Sequence, residues 1–253
     1  MKKYFALLLI LTAFTAKSWA MTPLQEHMLL VTQSMANFYM YQLSQGNEKY
    51  FKQFENYQSK ASYALRKLAK LKDKNQQAKD LSKKWNALNE KLNMTGVDTK
   101  LTGEIPVMAG VVRRESREYL THLYLQVFNQ KTLALQDTEN DIAQAQLLIA
   151  MLATRALDLV SDNYGPTGLT DHDLQFNPVQ VEKSVGQNIK GLLMASVTEE
   201  QGYDFKKLQS KFNFIKSPLI DYHLQTPYFL IFENLKSMNK LFRKNQLVQV
   251  AKQ

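Results

Sequence analysis

Apolar residues recur every seven positions through one long stretch of the chain, and this spacing constrains the fold most strongly. The residues of this repeat are Ala64, Leu71, Ala78, Trp85 and Leu92. Such a repeat places one stripe of a helix against a neighbouring helix, as in a coiled coil. A continuous helix over 47–93 would be roughly 70 Å long. Alternatively, the polar stretch 72–77 divides it into two antiparallel helices.

The rest of the sequence also favours helices. Only nine glycines and six prolines occur among 253 residues, and most lie between segments with helical apolar spacing. No run with strand periodicity stands out. The predicted helices cover 23–44, 47–93, 111–135, the segment from the cap residue Asp137 to 160, 179–197, 199–214 and 228–249, with irregular segments at 95–110 and 162–178. We therefore predict an all-α fold, an elongated antiparallel bundle of about six to eight helices.

The predicted helices fall into two groups. The first half, 21–110, ends in a loop that contains three glycines, and the second half is 111–253. Each half could form a helical hairpin or a small bundle. The helices with the highest apolar content should supply the core, and these are 111–135, 137–160 and 228–249.

The first twenty residues have the layout of a cleavable secretion signal. Two lysines precede an apolar run at 5–14, and the small residues Ser18 and Ala20 stand at the −3 and −1 positions of a cut. The apolar run is short for a bilayer core of about 30 Å. The sequence therefore predicts a signal peptide at 1–20 and a periplasmic or secreted mature chain that starts at Met21.

The composition limits the chemistry of the mature chain. It has no cysteine, which excludes disulfides, thiolate metal sites and cysteine nucleophiles. The predicted signal carries three lysines and no acid, so the net charge falls from +9 to +6 after cleavage. A basic surface suits anionic partners such as lipid headgroups or polyanionic glycans, but plain solubility is the favoured explanation. The predicted compartment argues against nucleic acid.

A short segment resembles a known hairpin. Residues 38–54 contain a Gly46-Asn47 turn, then Tyr50, and Phe54 one helical turn later. Gly46 can close the first helix, Asn47 can cap the second, and the two aromatic residues can pack back on the first helix. This pattern is similar to the helical hairpin of four-helix-bundle sensor ectodomains of bacterial chemoreceptors and histidine kinases. The resemblance implies a periplasmic bundle that binds a small ligand or a partner, and it transfers no ligand residues.

Four arginines are the candidate residues for binding an anion. They are Arg113, Arg114, Arg117 and Arg155. The first three lie near a predicted helix start, where the helix dipole favours anions, and guanidinium groups bind carboxylate, phosphate or sulfate. The alternative for these three is pairing with the interleaved Glu115 and Glu118. The fourth lies among apolar residues and requires a buried acid such as Asp158.

Other catalytic signals are weak. The four histidines lack metal-ligand spacing, and no nucleophile elbow or phosphate-binding loop occurs. Asp171-His172-Asp173 is interpreted as a polar loop, with a metal or proton site as the alternative. We therefore predict no metal, no cofactor and no enzymatic activity. The alternative is an all-helical periplasmic hydrolase of cell-wall or polysaccharide material, which needs two carboxylates in one cleft.

The predicted function is binding of a small anionic ligand or an envelope protein, in a sensor or as an accessory of an appendage or the cell surface. The last predicted helix ends in a basic row that could also contact an anionic membrane. This row consists of Lys236, Lys240, Arg243 and Lys244. A third interpretation is an assembly factor that uses a long second helix as a docking rod. The oligomeric state is left open.

Overall fold

The protein is an all-α helical bundle. The computed structural model describes the backbone of residues 21–102, 109–129, 131–136, 140–161, 176–221 and 227–250, and side chains at 21–96, 110–129, 131–136, 140–161, 176–221 and 227–246. This part of the chain forms eight α-helices. They are α1 (Pro23–Leu43), α2 (Glu48–Ala69), α3 (Asn75–Thr102), α4 (Ala109–Val127), α5 (Asp141–Val160), α6 (Pro178–Met194), α7 (Glu199–Ile220) and α8 (Tyr228–Val250). The predicted signal peptide lies outside the described residues.

The start of α1 follows from local chemistry. Thr22 accepts a hydrogen bond from the amide of Gln25 at 3.3 Å, and the Gln25 side chain accepts one from the amide of Thr22 at 3.0 Å. This reciprocal pair is a capping box, and Pro23 occupies the first turn, where a missing amide hydrogen costs nothing. The helix therefore starts where the sequence predicted.

The turn from α1 to α2 also follows the prediction. Gly46 has φ +87°, a left-handed conformation that favours glycine, and its amide donates to the carbonyl of Tyr41 at 2.9 Å. Asn47 caps α2 through the amide of Lys49. The ring of Phe54 packs against Phe38 of α1, with 5.3 Å between centroids. These contacts join α1 and α2 as an antiparallel hairpin. The ring of Tyr50, which was also expected to pack on α1, instead meets Phe232 of α8 at 5.5 Å.

The helix α1 lies at the centre of the bundle. Every residue from Leu24 to Gln42 except Glu26 is buried, so all faces of the helix are covered. It packs against α2, α4, α5 and α8. The apolar-content argument predicted other core helices, and it was wrong to leave α1 out. A helix that is covered on all sides has no polar face, and its apolar periodicity is therefore weak.

The helix α5 is the second central element. By length and composition it is apolar enough to cross a membrane, but 83% of its most apolar window is buried inside the protein. It packs against α1, α6, α7 and α8. The prediction that this segment is a buried helix is confirmed. The hydrophobic core contains side chains from both predicted halves of the chain.

The seven-residue repeat spans two helices rather than one. The chain leaves helical conformation after Ala69, passes through a 3₁₀ turn at Lys72–Lys74, and resumes as α3. The Trp85 indole donates to the Ser62 hydroxyl at 3.0 Å, and Gln58 donates to Asn89 at 3.0 Å, so α2 and α3 run antiparallel. Leu71 lies in the break and is 43% exposed, whereas the other repeat residues are buried. The antiparallel alternative is confirmed, and the continuous helix over 47–93 is not formed.

Two predicted boundaries near the middle of the chain were wrong. Helix α3 continues to Thr102, although a loop was predicted from 95. Helix α4 ends at Val127 rather than 135, because the next residues form a turn in which Asn129 accepts from the amides of Lys131 and Thr132. Local hydrogen bonding by an asparagine side chain competes with helix continuation.

Two further helix ends also differ. Asn140 caps α5 by accepting from the amide of Ala143 at 2.9 Å, while the predicted cap Asp137 lies outside the described residues. Helix α7 continues to Ile220 with Pro218 in its last turn, although an end at 214 was predicted. Pro218 and Leu219 are buried, so packing offsets the hydrogen bond that proline cannot donate.

Candidate functional site

Two of the four candidate arginines bind a carboxylate of the protein itself. Arg117 donates from Nε to Oδ2 of Asp158 at 2.5 Å, and Nη1 of Arg113 lies 3.6 Å from Oδ1 of the same residue. Asp158 and Arg113 are almost fully buried. The partner therefore comes from α5, about 40 residues away in the sequence, instead of the adjacent Glu115 and Glu118.

Arg113 is held by further hydrogen bonds. It donates to the carbonyl oxygens of Asp158 and Ser161 and to the Gln42 amide oxygen, at 3.0, 2.5 and 2.8 Å. Its guanidinium also lies over the ring of Tyr39, 5.6 Å from the centroid. Burial, together with the Asp158 carboxylate, raises the pKa of the Tyr39 hydroxyl far above its ordinary value. The cluster fixes the carboxyl end of α5 against α1 and α4.

The other candidate residues differ in burial and in partners. Arg114 is exposed, and Arg155 is partly buried on α5. Glu115 pairs with Lys91 of α3 at 2.5 Å. Asp171-His172-Asp173 lies outside the described residues. Binding of an external anion by the four arginines stays a prediction, and the anion that Arg113 and Arg117 hold in the structure is Asp158.

A second buried polar cluster surrounds His27. Its Nδ1 lies 2.8 Å from the carbonyl oxygen of Ala61, which can only accept, so Nδ1 carries a proton. Nε2 then accepts from the Tyr119 hydroxyl at 2.7 Å. Trp85 contacts both rings, stacking on Tyr119 and meeting His27 edge-on. Burial lowers the pKa of His27 to about 4, so the imidazole is neutral at pH 7.

An open groove between α3 and α4 borders this cluster. It is lined by Lys84, Ala87, Leu88, Glu115, Glu118, Tyr119 and His122. Burial and the nearby Lys84 lower the pKa of the His122 imidazole. Both carboxylates project from α4, whereas glycoside hydrolysis needs carboxylates on both sides of the bond that is cleaved. The hydrolase alternative stays a prediction.

A cavity of about 140 Å³ lies where α8 faces α1 and α2. Helix α8 packs chiefly against α5 and α7. The cavity is the gap that remains between α8 and the α1–α2 hairpin. Ala36, Phe232 and Leu235 form an apolar wall, and Tyr57 adds a ring. Ligand sites combine such apolar walls with a few polar groups.

Amide side chains form the polar part of the cavity wall. Gln33 and Asn37 come from α1, Gln53 from α2 and Asn239 from α8. Asn37 is 3% exposed and donates from Nδ2 to the Gln33 carbonyl at 2.7 Å, while its Oδ1 has no hydrogen-bond partner. An unsatisfied buried acceptor costs about 1–3 kcal/mol.

Cationic side chains of α8 surround the same cavity. Lys236, Lys240 and Arg243 lie at helical spacing on one face and all line it. Arg243 donates to Gln33 across the cavity at 3.4 Å. The only acid of the described residues paired with this set is the exposed Glu233, 3.9 Å from Lys236. Three cations with one weak acidic partner create a positive potential at the cavity.

The sequence identified the basic row on the last helix but not its cavity. Lys236, Lys240 and Arg243 face the cavity, while Lys244 turns to α7, where it pairs with Glu200 and Asp204 at 2.8 Å. Hydrogen bonds to Asp204 and Glu200 raise the pKa of Lys244. The amides on α1 were missed because they lie about 200 residues from the cations in the sequence. The one signal for them in the sequence was the presence of polar residues such as Gln33 and Asn37 within an otherwise apolar helix.

Comparison with protein-family models, with curated proteins and with solved structures found no match to this chain.

Proposed function

We propose that the protein is an exported, non-enzymatic binding protein that holds a small organic anion in the cavity between α1, α2 and α8. The observation that carries this proposal is the combination of three cations with four amide side chains around one cavity. Cations favour a negative group, and the amide side chains favour a second group that forms hydrogen bonds. The cavity thus suits a ligand that has both.

The cavity walls also limit the size and shape of the ligand. A cavity of about 140 Å³ suits a small molecule. Ala36, Phe232 and Leu235 favour a short apolar body next to that group. The ligand class is therefore a small carboxylate or phosphate ester with a hydroxyl or amino group and a short hydrocarbon part.

Export is the second part of the proposal, and the start of α1 supports it. Thr22 and Gln25 satisfy each other's amides in the capping box, so this cap needs no residue before Met21. Removal of 1–20 would leave the capping box intact. The protein would then act in the periplasm or outside the cell, alone or with an envelope protein as its partner.

The experiment uses the chain expressed with its leader and recovered after export. Amino-terminal sequencing should give Met21 as the first residue, and an intact leader on cell-associated protein would contradict export. A panel of hydroxy, amino and phosphorylated short-chain acids is then measured by isothermal titration calorimetry. At least one member should bind, and no binding by any member would contradict the ligand proposal.

A pair of variants locates the site. Lys240→Gln with Arg243→Gln should weaken binding at least tenfold, since a hydrogen bond to a charged group contributes about 1.5–3 kcal/mol. The control is Lys79→Gln with Lys83→Gln, which removes two exposed charges from α3. Equal loss of affinity in both variants would indicate a general charge effect and contradict the assignment of the cavity.

A further inference from the structure

Large apolar side chains are exposed along the outside of the α6–α7 hairpin. Met194 and Val197, at the turn between the two helices, are 75% and 77% exposed. Tyr203 and Phe214 on α7 are 66% and 61% exposed. Because they are eleven residues apart, these two rings lie on one line of the helix, about 16 Å from each other.

Lysines occupy the positions between these rings. Lys206 and Lys207 lie on the same outer face of α7 and are exposed, and Lys190 is exposed near the end of α6. None of the three forms an ion pair within the described residues. The outer surface of the hairpin therefore alternates apolar side chains with uncompensated positive charge.

The acidic residues of α7 only partly offset this charge. Asp204 and Glu200 pair with Lys244 of α8, and Asp204 is nearly buried. Glu199 is exposed at the first position of the helix. The opposite face of α7 carries Phe205, Leu208 and Phe212, all buried in the core. The outer stripe is thus not needed for packing within the chain.

We infer that this outer surface of the hairpin docks on an anionic lipid bilayer. Lysines are interspersed among the apolar side chains, and Val197, Tyr203 and Lys206 line one open hollow beside the turn. This mixture of apolar and cationic groups matches the boundary layer of an anionic bilayer. Tyrosine and phenylalanine suit the boundary between headgroups and acyl chains, and each lysine near an anionic surface contributes about 1 kcal/mol. Met194 and Val197 would enter the headgroup layer from the turn.

Vesicle co-sedimentation of the full protein tests the inference. Vesicles of phosphatidylcholine alone are compared with vesicles that contain about one-third phosphatidylglycerol. The protein should bind the anionic vesicles at least tenfold more strongly, and binding should fall as salt is raised. Equal binding to both compositions, or no binding to either, would overturn the inference.

Three variants separate this surface from the rest of the chain. Lys206→Gln with Lys207→Gln should weaken binding to the anionic vesicles at least tenfold, and Tyr203→Ser with Phe214→Ser should do the same. Tyr63→Ser, at a ring 53% exposed on α2, is the control and should leave binding unchanged. Circular dichroism verifies that each variant is folded.

Two outcomes with these variants would overturn the inference. Retained vesicle binding in both hairpin variants would do so. So would a concentration-dependent dimer in sedimentation velocity that the same changes abolish, because the surface would then be a contact between copies of the chain.

Discussion

Lowering the pH from 7 to 5 should destabilise the fold by about 2 kcal/mol through one buried histidine. Burial lowers the pKa of His27 from 6.5 to about 4. Between these values the unfolded chain binds a proton that the folded chain does not, so stability falls as the pH drops. The full effect of a shift from 6.5 to about 4 is about 3 kcal/mol, reached only below pH 4.

The structural reason is the direction of the hydrogen bonds around the ring. Nδ1 donates to Ala61, and Nε2 accepts from Tyr119. With a proton on Nε2, the ring would donate to the Tyr119 hydroxyl oxygen instead of accepting from it. The hydroxyl would then have to donate to the Leu81 carbonyl oxygen, which lies 3.4 Å away. The charged ring would also be buried among Trp85 and neighbouring side chains without a carboxylate in the hydrogen-bonded cluster.

The assay is urea unfolding followed by circular dichroism at pH 7 and pH 5, for the natural protein and for His27→Gln. Above pH 5 most carboxylates stay ionised in both states, so the histidines dominate the change. His122 also has a lowered pKa and contributes in the same direction, but it is present in both proteins. The variant should lose about 2 kcal/mol less than the natural protein over this range.

Two results would refute this reasoning. One is an equal loss of stability in the variant and in the natural protein. The other is an NMR titration of the folded protein in which the His27 ring changes state near pH 6.5. The titration needs no substitution, so it decides the question even where His27→Gln does not fold.

Asp158→Asn should cost about 3 kcal/mol in urea unfolding at pH 7, because it leaves the buried Arg113 without its carboxylate, and a loss under about 1 kcal/mol would contradict this. Gly96→Ala should lower the thermal midpoint, because the added Cβ would lie 2.4 Å from Cε2 of Phe51 and overpacking costs about 1–3 kcal/mol. The matched control is Gly191→Ala, with open space around its Cβ, and helix propensity should make it neutral or stabilising by up to about 1 kcal/mol. A midpoint that does not fall in Gly96→Ala would contradict the proposed contact.

The local features of the helices were largely predictable. Thr22 and Pro23 marked the start of α1, and Gly46 and Asn47 marked the turn to α2, because capping and left-handed turns depend on residues a few positions apart. The end of α4 was not predictable from apolar spacing. The turn after Val127 depends on side-chain hydrogen bonds that leave no periodic signal.

The candidate site was predictable on one side only. The basic row of α8 is visible as Lys236, Lys240 and Arg243 at intervals of four and three residues. Its counterpart on α1 is hidden, because Gln33 and Asn37 occupy a helix whose surroundings no local pattern describes. The partner of Arg113 was equally hidden from the sequence, because Asp158 lies on another helix.

The sequence by itself determined that the chain forms helices, through the spacing of its apolar residues. Its cap residues determined where several helices begin. Both features depend on contacts within one or two helical turns. The tertiary structure alone decided that α1 is covered on every side, that His27 is neutral and that Arg113 binds Asp158. It also placed the cations of α8 beside the amides of α1. Burial and charge pairing depend on which helices meet in space, and distances along the chain do not record that.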